Sequence, residues 1–318
     1  MFQRILVLGG TGFVGRAVCN RLVERGQGNG RILVPTRRLA HGQRLQSLPT
    51  VELMALNVHD DAALARAVAG ADAVVNLVAI LHGSAADFQH VHVALPQRLA
   101  RACQAQGVRR VVHVSALGVG AGAPSNYLRS KAAGEAALVT AGLDLTILRP
   151  SVIFGAEDRF LNLFADLQAL APLLPLAGRG TRFQPVWVED VATAIVRCLD
   201  RDDTVGKTYE CAGPEVCTLA ELVRLAGLWS GHERPQLTLP MWAGRLQAGL
   251  MEMLPGTPPM SRDNLDSMQV PNVASGQLPG LEALGITAAA LDAVAPAYLG
   301  GVSGLARLDR WRRCAGRD

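Results

Sequence analysis

A glycine-rich turn near the start of the chain constrains the fold more than any other feature. Arg4-Ile5-Leu6-Val7-Leu8 reads as a buried strand, Gly9-Gly10-Thr11-Gly12-Phe13-Val14-Gly15 follows it, and an apolar-periodic stretch then runs to about Arg25. Gly9, Gly12 and Gly15 are spaced three apart, and Gly10, Gly12 and Gly15 satisfy the dinucleotide fingerprint. One glycine makes the tight turn, one lets backbone N–H groups approach a pyrophosphate, and one lets helix pack on strand. The start of that helix, at Phe13 and Val14, then faces the phosphate charge. A glycine-rich surface turn is the bland alternative, and its position between strand and helix argues against it.

Strand-like runs near 4–8, 31–35, 51–56, 72–78, 110–115 and 144–149 alternate with helical patterns near 13–25, 60–69, 84–106, 125–141 and 158–171. This alternation predicts an α/β fold: a Rossmann-type, doubly wound parallel sheet with ligand at the carboxyl ends of its strands. Pro96 should interrupt the third helix. A strand near 185–188 and a helix near 190–200 continue the pattern, and Thr218-Leu219-Ala220-Glu221 is a capping box that starts another helix. From about Pro235 prolines chop the chain into short pieces. The expected organisation is a nucleotide-binding Rossmann domain over 1–230 and a small C-terminal lid or docking region over 231–318.

The 318 residues are 49% hydrophobic and 18% charged. No apolar run reaches the roughly 18 residues of a membrane span, and a strand that begins almost at Met1 leaves no room for a signal peptide. Cys19, Cys103, Cys198, Cys211, Cys217 and Cys314 lack metal-ligand spacing, so reduced, mostly buried thiols are expected, and with them a cytoplasmic protein, soluble or peripheral on the cytoplasmic face of a membrane. The net charge of +4, without aromatic-basic interleaving, does not call for nucleic acid. No metal site is read.

The second strand ends in Thr36-Arg37-Arg38. Folds that select NAD place a carboxylate there for the ribose 2′-OH. Arg37 and Arg38 instead suit a 2′-phosphate, with Arg16 nearby, and favour NADP(H), with NAD(H) as the alternative. Solvated arginines in an arginine-rich chain are the bland reading. Asn57 and Val58 would flank adenine, and Asn76 to Ala79, Val78 among them, would line the next stretch of the crevice.

Tyr127-Leu128-Arg129-Ser130-Lys131 is the second strong signal in a chain with three tyrosines and, at 131 and 207, two lysines. On a helix the i,i+4 spacing stacks both side chains on one face. A tyrosine titrates near ~10, and a neighbouring ammonium stabilises its phenolate. Tyr127 would exchange the substrate hydroxyl proton while hydride moves to or from the nicotinamide, and Lys131 would also hold the nicotinamide ribose. Ser115, at the end of the strand that starts at Arg110, could orient a substrate carbonyl.

These residues resemble the extended or atypical short-chain dehydrogenases/reductases, the NAD-dependent epimerase/dehydratase-like group. The resemblance continues through Leu148-Arg149-Pro150-Ser151-Val152-Ile153-Phe154-Gly155 and through Phe183 to Ala192. It implies that the turn at Pro150, Ser151 and Val152 passes the nicotinamide. A narrower likeness, in Ser125 to Glu135, Glu157 to Asn162, Pro255-Gly256 and Ser261 to Asn264, is to the subgroup typified by the NADPH-binding accessory subunit of respiratory complex I. No asparagine is matched to the family's fourth catalytic position. The resemblance thus implies either a carbonyl/hydroxyl oxidoreductase acting on a small molecule or a quinone, or an NADPH-holding subunit or assembly factor beside a respiratory complex or membrane surface.

Other features have plainer readings. His90 and His92 should face apart, His59-Asp60-Asp61 should be the loop and cap of a helix, and His113 should be a core residue. Met241, Trp242, Leu246, Leu250, Met253 and Leu254 form an apolar stripe, usually core-facing, with a lid, a quinone-side wall or a membrane face as alternatives. Arg307, Arg310, Arg312 and Arg313 around Trp311 read as a solvated helix end.

Overall fold

A computed structural model describes residues 2–253, 256 and 258–300. Leu254, Pro255, Cys314 and the Arg/Trp-rich tail lie outside the described residues. The chain divides into two compact units: residues 1–150, 188–211 and 275–287 form the first, and 151–187, 212–274 and 288–318 the second. This interleaving contrasts with a single boundary near residue 230. The reason is that the chain leaves the central sheet after its sixth strand and returns to complete it later.

The first unit is built on a seven-stranded sheet. Its strands are β1 (Arg4–Leu8), β2 (Arg31–Thr36), β3 (Val51–Ala55), β4 (Ala73–Asn76), β5 (Arg110–Val114), β6 (Asp144–Pro150) and an edge strand, Thr208–Cys211. Their order is Thr208–Cys211, β6, β5, β4, β1, β2, β3. Every neighbouring pair is parallel. The order reverses between β1 and β4, the switch point at which such sheets bind ligands. β1 and β4 are near-continuous apolar runs with fully buried centres, as strands covered on both faces must be. Leu6 and Leu8 of β1 share a core with Leu64, Leu95 and Leu99.

Helices α1 (Phe13–Gly26) and α2 (Asp61–Val68) fall where the periodicity places them. Asp60 caps α2, its Oδ1 accepting from the Ala63 N–H at 2.7 Å. The third helical stretch is not broken at Pro96. It runs as α3 (Ala85–Phe88), a π-helical turn (Gln89–Ala94) and α4 (Leu95–Gln106). Pro96 stands four residues after His92 and offers no N–H to the His92 carbonyl, so the irregularity falls in the turn before the proline. Helix α5 (Asn126–Val139) is capped by Ser125, whose Oγ accepts from the Leu128 N–H. The contact of the π-helical turn with α5 is close: a Cβ on Gly134 would lie 2.0 Å from the His92 carbonyl oxygen. Helix Val188–Asp200 packs on α1 through an Arg21–Glu189 ion pair at 2.9 Å and an Arg25–Asp200 pair.

In the second unit, Phe154, Phe164, Phe183, Leu222 and Tyr298 lie in one apolar core. Strand Val186–Trp187 pairs with Ile153–Phe154 and not with the central sheet. The capping box at Thr218 and Glu221 forms and starts helix Leu219–Ser230. Helix Met241–Glu252 departs from the core-facing expectation. Its small residues Gly244 and Ala248 are buried, while Trp242 (72% exposed), Leu246 (62%) and Leu250 (60%) point outward. Gly244 makes this orientation possible, because a Cβ there would sit 2.4 Å from the Ala177 Cβ. Among the described residues no helix is long and apolar enough to cross a membrane.

Candidate functional site

The glycine turn closes over the carboxyl end of β1. Gly10 N–H donates to Val7 O at 3.3 Å and Gly12 N–H to Gly9 O at 3.0 Å. Gly9 holds φ +81°, and a Cβ there would press on the Leu77 and Val78 backbone at 3.2–3.3 Å. A Cβ on Gly15 would stand 2.3 Å from Gly9 O and 2.5 Å from the Gly10 Cα, so α1 reaches the turn only because residue 15 has no side chain. Gly10 has a role that spacing alone does not reveal: its Cβ would meet Val34 of β2 at 2.8 Å. Asp60, Ser125 and Thr218 cap their helices with side chains, but Gly12 at the start of α1 has none to offer. The amides at Phe13 and Val14 open a helix with no acidic residue in its first turn. An uncapped helix start over a turn in which Gly9, Gly10 and Gly12 carry no side chain fits a pyrophosphate. Arg16 donates to the Thr11 carbonyl at 2.8 Å, on the same turn.

Arg37 and Arg38 emerge exposed at the end of β2. Asn57 and Val58 follow β3, and Asn57 Oδ1 accepts from the His59 N–H at 3.1 Å. The His59 ring stacks on His90, with centroids 4.3 Å apart. Burial, then the charges of His90, Arg98 and Arg37, holds His59 below the usual imidazole range. Val78 is partly buried and Ala79 exposed beyond β4. Asn76 Oδ1 accepts from the Val78 N–H at 3.3 Å, and its amide nitrogen therefore faces His113 Nδ1 at 3.1 Å. His113 is a core residue as expected, but its Nε2 has no hydrogen-bond partner among the described residues.

Ser115 follows β5, its Oγ buried and without a hydrogen-bond partner among the described residues. Lys131 of α5 is 2% exposed and donates to the Val114 carbonyl at 2.7 Å, one residue before Ser115. Burial lowers Lys131 to about 8, opposed by Glu135 one turn on, which pairs with Arg149 at 2.5 Å. Tyr127 is one helical turn before Lys131, and burial pushes its phenol up to about 12. Desolvation thus prevails over the expected stabilisation of phenolate, and a protonated Tyr127 can donate. Pro150 ends β6, its carbonyl accepting from the Leu117 N–H at 2.9 Å. Ser151 and Val152 fall in the second unit, where Ser151 Oγ donates to Asn272 Oδ1 at 2.7 Å and the Val152 N–H to the same oxygen at 2.8 Å.

Two residues that spacing does not single out join Tyr127. His92, in the π-helical turn, is 2% exposed, and its ring meets Tyr127 edge-on with centroids 5.5 Å apart. Ser130 lies within the Tyr-x-x-x-Lys motif and contacts His92 Nδ1 at 2.9 Å. Their only sequence signal is their position beside the motif, because a lone histidine on an apolar helix face reads as core.

A seven-stranded parallel sheet with a glycine cradle at its switch point defines a Rossmann-type dinucleotide-binding unit. The chain belongs to the NAD dependent epimerase/dehydratase family, a family of NAD(P)-binding proteins, whose pattern matches residues 5–212. It is similar to the mitochondrial NADH dehydrogenase (ubiquinone) 1 alpha subcomplex subunit 9 of Mus musculus, at 33% identity over 88% of this chain and 75% of that one. A ceramide reductase of Caulobacter vibrioides is 31% identical over 60% of this chain and 59% of its own. Among solved structures, DesIV of Streptomyces venezuelae, a dTDP-glucose 4,6-dehydratase with NAD and DAU bound, superposes with a TM-score of 0.71. It is 22% identical and covers 98% of this chain and 97% of that one, a likeness of fold.

Proposed function

We propose that this chain binds NADP(H) and uses Tyr127, Lys131 and Ser115 to interconvert a carbonyl and a hydroxyl. The observation that carries the reading is the local geometry at β5: the Lys131 ammonium donates to the Val114 carbonyl, one residue before Ser115, whose buried Oγ has no hydrogen-bond partner among the described residues. The nicotinamide supplies or accepts hydride. Ser115 orients the carbonyl oxygen, and Tyr127, protonated at neutral pH, donates to it in the reductive direction. Gly9, Gly12, Phe13, Val14 and Gly15 hold the pyrophosphate. Asn57 and Val58 flank adenine, and Val78, Ala79, Pro150, Ser151 and Val152 line the nicotinamide half. Preference for the 2′-phosphate rests on Arg37 and Arg38 and on the lack of a carboxylate where β2 ends.

A second reading is favoured by the mouse relative, a subunit named for a mitochondrial NADH dehydrogenase. In it the chain holds NADPH as a fixed ligand while seated on a respiratory NADH dehydrogenase, peripheral to its membrane. One experiment separates the two. The protein is purified from its source cells, its retained nucleotide is identified, and exchange with added NADP+ is followed. Nucleotide that exchanges within a turnover time, with carbonyl reduction abolished by Tyr127→Phe, supports the oxidoreductase. NADPH that never exchanges, in protein that sediments with respiratory membranes, supports the subunit. Protein that retains and binds neither nucleotide would overturn both.

A further inference from the structure

His92 is a buried polar group packed on Tyr127 that the proposed chemistry leaves unused. Its hydrogen bonds fix its protonation. The Ile80 N–H donates to His92 Nε2 at 3.0 Å, so that nitrogen carries no proton. Nδ1 therefore holds the proton and donates to Ser130 Oγ at 2.9 Å. The Ser130 hydroxyl in turn donates to the Tyr127 carbonyl at 2.9 Å. Three bonds in one direction join the loop after β4, which carries Val78 and Ala79, to the turn of α5 that bears Tyr127. The two ends of this chain of bonds are a nucleotide-lining loop and the proton-donating residue of the proposed reaction.

The surroundings hold the imidazole in place and neutral. Phe88 packs on one side, its ring centroid 5.5 Å from that of His92 and 6.2 Å from that of Tyr127. Pro96 and Gly134 fix the backbone, since the first withholds an N–H from the His92 carbonyl and the second lets that carbonyl approach α5. Lys131 on α5 and His113 on β5 are the titratable groups that face His92, together with the Tyr127 phenol. The Lys131 ammonium would repel a second cation, and protonating Nε2 would break the Ile80 bond.

We infer that His92 is a positioning residue that couples nucleotide occupancy of the loop after β4 to the orientation of Tyr127, acting through Ser130. The inference rests on the proposed nucleotide site, and the failure of one is distinguishable from the failure of the other. Because the relay requires one tautomer, it can be read in the free protein as well as in the loaded one.

The test uses the full chain with 15N-labelled histidine and with tyrosine labelled at 13Cζ, Tyr127 being assigned by its loss in Tyr127→Phe. In the free protein His92 is expected as the neutral Nδ1–H form from pH 8 down to about pH 5, well below the ordinary imidazole midpoint. An Nε2–H form, or a midpoint near the ordinary value, overturns the relay whatever the nucleotide does. Addition of NADP+ is expected to displace the Tyr127 13Cζ resonance. Ser130→Ala, which keeps the imidazole, and His92→Asn, which cannot reach Ile80, are expected to lose most of that displacement while NADP+ affinity stays within about threefold. Full displacement in a folded Ser130→Ala protein overturns the inference and leaves nucleotide binding standing. Absence of NADP+ binding to the unaltered protein removes the proposed function and overturns the coupling with it, while the tautomer measurement still shows whether the hydrogen-bond chain itself exists.

Discussion

A carboxylate and a guanidinium at the end of β2 make opposite demands on the adenosine ribose, and in this chain Arg37 and Arg38 stand there exposed. Arg37→Asp is expected to weaken NADPH binding by about 1.5–3 kcal/mol, the worth of a charge-assisted hydrogen bond, and to leave NADH binding nearly unchanged. Calorimetry that finds NADPH and NADH equally tight on the unaltered protein would remove the preference. In the π-helical turn, His92 makes acid sensitivity a residue-scale property. Burial and the Lys131 charge hold its folded-state value at about 3, against 6.5 unperturbed. Between those values the unfolded chain binds a proton that the folded chain refuses. Stability therefore falls as pH drops through this window, by up to about 1.4 kcal/mol per pH unit, and is unaffected by His92 above it. Buried His113 pulls in the same direction. His92→Asn should flatten the pH dependence of the urea midpoint between pH 7 and 5 without abolishing it. An unchanged slope would show that His92 titrates freely.

At the scale of elements, two glycines that allow close approach are decisive, and an open one serves as control. Gly15→Ala would place a Cβ 2.3 Å from the Gly9 carbonyl oxygen, a backbone atom that cannot swing away. The expected result is a loss of about 1–3 kcal/mol or more and no measurable nucleotide binding. Gly134→Ala, with its Cβ 2.0 Å from the His92 oxygen, should force the π-helical turn from α5 at a similar cost. Gly122, with nothing within 4 Å of its Cβ, should accept alanine within about 0.5 kcal/mol. Thermal unfolding of the three variants, with NADP+ titration, checks the order. The first of these glycines was legible in sequence because the spacing of a phosphate turn is dictated by a ligand of fixed size. Gly134 was not, because a helix–helix approach between residues 92 and 134 leaves no local periodicity. Strands β1 and β4 were legible for the same reason that they are buried: both faces are covered, so they read as near-continuous apolar runs, whereas the edge strand β3, with no fully buried residue, was legible from its place in the strand–helix alternation. The edge strand Thr208–Cys211 pairs on one side only, is four residues long and carries Glu210, so nothing in its pattern separates it from a loop. The π-helical turn was announced by Pro96, but the proline marks the residue that cannot donate, and the distortion appears a turn earlier.

At the scale of the whole molecule, helix Met241–Glu252 decides how the second unit should respond to change. A helix that turns Gly244 and Ala248 inward and Trp242, Leu246 and Leu250 outward gives its large side chains little part in the fold. Replacing Trp242, Leu246 and Leu250 together by glutamine, a good helix former, should shift stability by no more than about 1 kcal/mol. Leu222→Ala, in the apolar core of the same unit, should cost about 2–5 kcal/mol. Differential scanning calorimetry of both variants tests this inversion of the helix, and a large loss in the triple variant would place its apolar face inside the fold. The triple variant also separates the two functional readings, because it leaves the glycine turn, Arg37, Tyr127 and Lys131 unaltered. If the chain works as a free reductase, its activity and its distribution on cell fractionation should match those of the unaltered protein. If it is seated on a respiratory complex, an outward apolar face of this kind is surface that association would remove from water. The triple variant should then leave the membrane fraction for the supernatant while still binding NADPH with unchanged affinity. Retention in the membrane fraction at the level of the unaltered protein would show that this face is not the contact.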